Sequence, residues 1–215
     1  MNLTVAGNLA CRLERQRGAC ALVAIKARTL CKTRLAQVLP PSARLHLVRA
    51  MLEAVLAAAQ GAQTLRQIVV VSPERDDIPP CIPVLADNGG DLNGALLAAQ
   101  MALHEFGCRE LVVLPADLPN ITAAEIDSLV RTGRRGGFAI APDAAAVGTN
   151  ALFLSTSRPF RFQFGPDSSR LHLQEAQNMG LKPEVVHLAG LAFDVDCPAD
   201  LHRLEEQRWR ARLQA

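Results

Sequence analysis

Apolar residues recur along the chain in short runs separated by longer amphipathic stretches. The runs ALVAI (21–25), QIVVVS (67–72), LVVLPA (111–116) and FAIAPD (138–143) are rich in β-branched residues and bounded by polar or turn residues, the pattern of buried strands. Between them, Ser42–Gln60, Leu92–Phe106 and Ala123–Thr132 repeat apolar positions at helical spacing. Alternating strands and helices predict a doubly wound sheet with helices on both faces, a three-layer α/β/α architecture. Ser42, after Pro40 and Pro41, reads as an N-cap; Thr122, with Glu125 three residues on, reads as a capping box.

The rhythm changes after about residue 145. NALFLS (150–155) predicts another strand, Pro159–Asp167 reads as a loop, and Ser168–Met179 as a helix. Two short apolar segments, EVVHL (184–188) and LAFDVD (191–196), flank Gly190 as the arms of a hairpin would, and a last helix starts near Pro198. The sheet is therefore expected to be mixed but mostly parallel. Phe160, Phe162 and Phe164 alternate along the loop, where they could cover a partner surface or, more in keeping with an edge strand, face the core. No repeat or low-complexity linker interrupts the chain. Residues 1–19 read as an N-terminal extension and residues 20–215 as a single domain.

Composition narrows the class. Hydrophobic residues at 49% and charged residues at 20% exclude a disordered or fibrous chain. Lys and Arg total 23 against 21 for Asp and Glu, and a net charge of +2 argues against dedicated nucleic-acid binding. No apolar run reaches the roughly 18 residues of a membrane span. Cys11, Cys20, Cys31, Cys81, Cys108 and Cys197 form no CxxC pair, which argues against structural zinc, and the expectation is a reduced, cytoplasmic protein. Only three cations are lysine: Lys26, Lys32 and Lys182.

In an open α/β sheet the ligand binds beyond the carboxyl ends of the strands, near the point where strand order reverses. After the first strand, Lys26, Arg28, Lys32 and Arg34 crowd one loop with no carboxylate among them, an arrangement that suits a phosphate-rich ligand or, more plainly, a solvated basic loop. The loop lacks the glycines of a P-loop, and no GxGxxG occurs anywhere, so side chains would have to hold the phosphates. Asp117 leaves the third strand between Pro115 and Pro119. Asp194 and Asp196 alternate about Val195 and so share a strand face, where a hard oxygen-loving ion such as Mg²⁺ would relieve their repulsion. GGDLNGAL (89–96), VGTNALFL (147–154) and FGPDSSRLH (164–172) are glycine-containing loops that open helices or a strand.

In order, Lys26…Lys32-Thr33-Arg34-Leu35, Asp91-Leu92-Asn93, Pro115-Ala116-Asp117-Leu118-Pro119, Gly148-Thr149-Asn150-Ala151-Leu152, Phe164-Gly165-x-x-Ser168, His172 and Asp194-Val195-Asp196-x-Pro198-x-Asp200-Leu201 resemble the guanylyltransferases of coenzyme F420 biosynthesis. The resemblance runs from about residue 21 to 205 and covers versions acting on 2-phospholactate, phosphoenolpyruvate or 3-phosphoglycerate. It implies a fold similar to the glycosyltransferase-A-like nucleotidyltransferases, GTP as co-substrate with Mg²⁺, and transfer of GMP to the phosphate of a small carboxylic acid. By the same resemblance Asp117, Asp194 and Asp196 hold Mg²⁺. Thr149, Asn150, Gly165, Ser168, Ser169 and His172 are expected on the acceptor side, and Lys26, Lys32, Arg34 and Asn93 toward the nucleotide, the first three also as catalytic cations. Similar enzymes pair as homodimers.

Two positions depart from the family pattern: Asp91, where relatives often pass from Gly to Leu-Asn, and Ser169, where an apolar residue is expected. The polar Ser169 leans the acceptor toward hydroxyl-bearing 3-phosphoglycerate. A molybdopterin or sugar-phosphate nucleotidyltransferase on the same fold would open with a glycine-rich LxAGGxSxRMGxxK-like loop, absent here. A non-catalytic GTP-binding regulator is the remaining alternative, and retention of all three aspartates argues against it.

Overall fold

A computed structural model describes residues 18–25, 32–87, 91–155 and 158–214. Lys26 and Arg28 lie outside the described residues, as does all but the end of the N-terminal extension. Seven strands form one sheet in the order β3-β2-β1-β4-β6-β5-β7: β1 Ala19–Ala24, β2 Leu65–Ser72, β3 Val84–Ala86, β4 Glu110–Pro115, β5 Gly137–Pro142, β6 Thr149–Ser155 and β7 Lys182–Val185. Only β6 runs antiparallel to its neighbours, β4 and β5, so the sheet is mixed and mostly parallel as expected. The strand order reverses at β1, which has β2 on one side and β4 on the other.

Helices cover both faces. Val23, Val70, Val112 and Leu114 point toward α1 (Pro41–Gly61) and α3 (Ala123–Gly136), where Leu52, Val55, Ile126 and Leu129 meet them. Their neighbours in sequence, Leu22, Val69, Val71, Leu111 and Val113, point the other way, toward α2 (Leu92–Glu105) and α4 (Ser168–Asn178). Burial on both faces is why β1, β2 and β4 read as almost unbroken apolar runs. A third, smaller core joins Leu35 of a 3-10 helix (Thr33–Gln37), Met51 of α1, Phe193, Val195 and Leu204 of α5 (Pro198–Gln214). That core ties the segments after β1 and before α5 to one another.

Several local expectations are corrected. The N-cap of α1 is Pro40, with no side-chain bond, and Ser42 lies inside the helix. The capping box of Thr122 and Glu125 is present, and the same Glu125 carboxylate accepts from Gly190 N–H at 2.6 Å. Gly190 is therefore not a hairpin turn. A Cβ there would lie 2.4 Å from the Asn120 carbonyl oxygen, so the chain packs directly on the start of α3. β7 pairs in parallel with β5, and residues 191–196 form no strand because Leu191, Phe193 and Val195 are drawn down into two different cores. Phe160 and Phe162 are buried in the α2/α4 core from an irregular segment, which settles the loop's orientation inward. β3 escapes periodicity because it is three residues long at a proline-flanked edge.

Asp127, on α3, carries a structural load that its sequence position does not advertise. Its carboxylate accepts from Gln63 N–H, Thr64 N–H and the Thr64 hydroxyl, at 3.2, 2.8 and 2.7 Å, and so closes the turn between α1 and β2. Burial alone would raise its pKa, but these bonds and Arg131 hold it below the ordinary value. Asp127→Ala is expected to lower unfolding free energy by about 3 kcal/mol, since two backbone donors lose a charged acceptor; a urea midpoint unchanged from wild type would contradict this.

Candidate active site

A cleft of about 460 Å³ opens over the carboxyl ends of β1 and β4, where the strand order reverses. Because β6 runs antiparallel, its first residues, Thr149 and Asn150, also face this edge. The walls include Lys32, Arg34, Asp117, Asp143, Asp194 and Asp196, together with Gly148, Gly165 and Ser168. Nine of the expected site residues thus line one cavity: Lys32, Arg34, Asp117, Thr149, Asn150, Gly165, Ser168, Asp194 and Asp196.

The centre is an ammonium shared by two carboxylates. Lys32 Nζ donates to Asp117 Oδ2 and to Asp196 Oδ1, each at 2.7 Å, and its side chain is only 8% exposed. Burial would depress the Lys32 pKa, yet Asp117 and Asp196 more than offset it and hold the ammonium above its ordinary value. Its backbone lies in the left-handed region, φ 53°, at the N-cap of the 3-10 helix, a costly conformation for a residue with a Cβ. Asp194 is pushed up instead, by burial and by the charges of Asp117 and Asp196, against the opposing bond from Asn150 Nδ2 at 3.2 Å. Asp194 and Asp196 reach the same cleft without belonging to a strand: buried Val195 between them anchors the alternation.

Backbone-directed polar groups hold the walls. Asp200 accepts from the Asp196 and Cys197 N–H groups at 3.1 and 2.9 Å, clamping the segment that carries Asp196 to the start of α5. The Asp143 carboxylate accepts from Val147 and Gly148 N–H, both at 2.9 Å, and a Cβ on Gly148 would fall 2.6 Å from its Oδ2. Asn93 bonds Phe164 twice, accepting from its N–H at 2.7 Å and donating to its carbonyl at 3.1 Å, so it holds the Phe164–Gly165 wall from outside the cleft lining. Asp91, one of the two family departures, is the N-cap of α2 and accepts from Gly94 N–H at 2.8 Å. Ser169 and His172 are buried behind the lining, and Ser169 donates its N–H to the Val147 carbonyl. Asp143 ends the FAIAPD run and Asp200 belongs to the family motif, but neither is given a role by the sequence; their carboxylates find backbone partners in the folded loops.

The family model described as "Guanylyl transferase CofC like" matches residues 19–205. The chain belongs to the CofC-like guanylyl transferase family. It is 39% identical over 190 residues to a phosphoenolpyruvate guanylyltransferase of Rubrobacter xylanophilus, covering 86% of this chain and 92% of that protein. A phosphoenolpyruvate guanylyltransferase of Sphaerobacter thermophilus is 36% identical, covering 86% and 91%. Among solved structures, a putative nucleotide-diphospho-sugar transferase from Desulfovibrio desulfuricans aligns with TM-score 0.71 at 18% identity, covering 86% of this chain and 85% of its own. A nucleotidyl transferase from Methanothermobacter aligns with TM-score 0.62 at 15% identity, covering 91% and 100%. The fold of this CofC-like chain is thus the nucleotidyltransferase fold. No helix among the described residues is long and apolar enough to cross a membrane.

Behind the lining, the His172 pKa is lowered to about 4 by burial. A buried neutral histidine leaves the unfolded chain binding more protons between its ordinary pKa near 6.5 and 4, so stability falls as pH drops through that window. The contribution is about 3 kcal/mol, fully present above pH 7. His172→Phe is expected to flatten this part of the stability–pH curve, read by chemical unfolding at pH 4.5 and 7.5; an unchanged slope would contradict the assignment.

Proposed function

We propose that this CofC-like protein transfers GMP from GTP to the phosphate of phosphoenolpyruvate, releasing pyrophosphate, with Mg²⁺ as metal. The observation that carries the reading is the gathering of Asp117, Asp194 and Asp196 with Lys32 and Arg34 in the cleft that Thr149, Asn150, Gly165 and Ser168 also line. The relatives' names support phosphoenolpyruvate as acceptor. The lean toward 3-phosphoglycerate finds no such support, and Ser169, on which it rested, is not part of the cleft lining. The molybdopterin and sugar-phosphate alternatives are not favoured by the family match either.

The donor set suits a hard divalent ion. Oxygens of Asp117 and Asp196 already converge within 2.7 Å of one cationic nitrogen, and Asp194 lines the same cavity. Among the described residues no three ligating side chains are drawn tightly enough to hold an ion by themselves. Mg²⁺ is commonly held by one or two carboxylates plus water and substrate phosphates, so Asp117, Asp194 and Asp196 would hold it together with the bound substrates. Bound there, Mg²⁺ would neutralise phosphate charge and order the triphosphate.

The residues of this chain then have separate tasks. An oxygen of the acceptor phosphate attacks the α-phosphorus of GTP in line; that P–O bond forms as the bond to the bridging α–β oxygen breaks, and pyrophosphate departs with the electron pair. A phosphomonoester, with a second pKa of about 6, is already largely dianionic at neutral pH, so no protein base is required. The remaining obstacle is repulsion between two polyanions. Lys32 and Arg34 supply fixed positive charge beside the cleft where charge builds on the leaving group. Lys26, from the same loop, is assigned to the triphosphate by resemblance.

Asp117→Asn and Asp196→Asn are expected to reduce pyrophosphate release at least a hundredfold while circular dichroism and unfolding remain cooperative. Turnover like wild type in both variants would overturn the assignment. With GTP and equal concentrations of phosphoenolpyruvate, 3-phosphoglycerate and 2-phospholactate, the guanylylated product of phosphoenolpyruvate is expected to accumulate first. GTP binding without product from any of the three would point to the regulator instead.

A further inference from the structure

His172 sits fully buried on α4, one layer behind the cleft wall. Its ring packs edge-on to Phe164, centroids 4.8 Å apart, and tilted against Phe160 at 5.9 Å. The Gln163 main-chain N–H lies 2.8 Å from Nε2. A backbone N–H can only donate, so Nε2 is an acceptor and carries no proton. A neutral imidazole then holds its single proton on Nδ1. Nδ1 is 3.0 Å from Thr149 Oγ1, which makes the ring the donor and the hydroxyl oxygen the acceptor. The hydroxyl hydrogen of Thr149 consequently points away from His172, and Thr149 lines the cleft.

We propose that His172 is a positioning residue that commits the Thr149 hydroxyl to donate a hydrogen bond to an anionic oxygen of the acid in the cleft. The proposal rests on the acceptor reading given above. With the opposite tautomer the hydroxyl would give its hydrogen to the ring and turn only lone pairs toward the ligand, repelling carboxylate and phosphate oxygens alike. The backbone N–H of Gln163 excludes that arrangement. The same ring therefore sets two walls: it orients Thr149 at the start of β6 and holds Gln163, next to the Phe164–Gly165 wall.

Long-range ¹H–¹⁵N spectra of the uniformly ¹⁵N-labelled wild-type protein at pH 7 are expected to show His172 with Nδ1 protonated and Nε2 bare. A proton on Nε2 overturns the proposal whatever the protein catalyses. In steady-state assays, His172→Phe retains an aromatic ring but loses both bonds. It is expected to raise KM for phosphoenolpyruvate about tenfold, the scale of one charge-assisted hydrogen bond, while KM for GTP stays within about twofold. Thr149→Val should show a similar split, and adding His172→Phe to Thr149→Val should raise KM for phosphoenolpyruvate by clearly less than it does in the wild-type background. A His172→Phe effect that persists in full without the Thr149 hydroxyl, or equal rises in both KM values, overturns the proposal. If wild-type protein guanylylates none of the three acids, it is the acceptor reading that falls, and the tautomer spectrum still decides how Thr149 is oriented.

Discussion

One ammonium between two carboxylates joins the segments from which the cleft is made. Lys32 follows β1, Asp117 leaves β4, and Asp196 precedes α5, so a single side chain links points 85 and 164 residues apart. A lysine withdrawn from water would be costly alone, and two carboxylates facing each other would repel; together at 2.7 Å each removes the other's penalty. Asp194 makes the contrast. Among the described residues its side-chain partner is the neutral Asn150 amide, and its proton is held more tightly than in an ordinary carboxyl.

That arrangement needs rigid supports, and most of them stand behind the cleft lining. The small core of Leu35, Met51, Phe193, Val195 and Leu204 fixes the 3-10 helix after Lys32 against the segment carrying Asp194 and Asp196. Carboxylates and amides then hold individual peptide groups: Asp200 at Asp196, Asp143 at Gly148, Asn93 at Phe164 and Glu125 at Gly190. Each bond is to backbone, so each positions a loop; Asp143 itself lines the cleft, whereas Asp200, Asn93 and Glu125 do not. His172 gives the same kind of support from behind the wall, bonding the Thr149 hydroxyl and the Gln163 N–H.

The parts that were readable in advance share one property: they depend on neighbours within a few residues. The β-branched runs of β1, β2 and β4, the capping box at Thr122 and the helix opening at Pro198 follow from local periodicity and end chemistry. The failures were also local readings, applied where distant contacts prevail. Gly190 looked like a hairpin turn, but its N–H goes to Glu125 on α3, 65 residues away. Ser42 looked like a cap and lies inside α1. Asn93, expected toward the nucleotide by resemblance, bonds the Phe164 backbone through both amide atoms, a contact that no local pattern shows.

The order of residues along this chain therefore determined the strands, most of the helices, the doubly wound architecture and the aspartates that belong to one site, because side-chain alternation and motif spacing are properties of adjacent positions. Tertiary structure alone decided which cation meets which carboxylate, that Asn93, Ser169 and His172 stand behind the wall, and which nitrogen of His172 carries the proton. Those outcomes turn on donors and acceptors brought together across sheet edges and loops, and no periodicity in the chain encodes such distances.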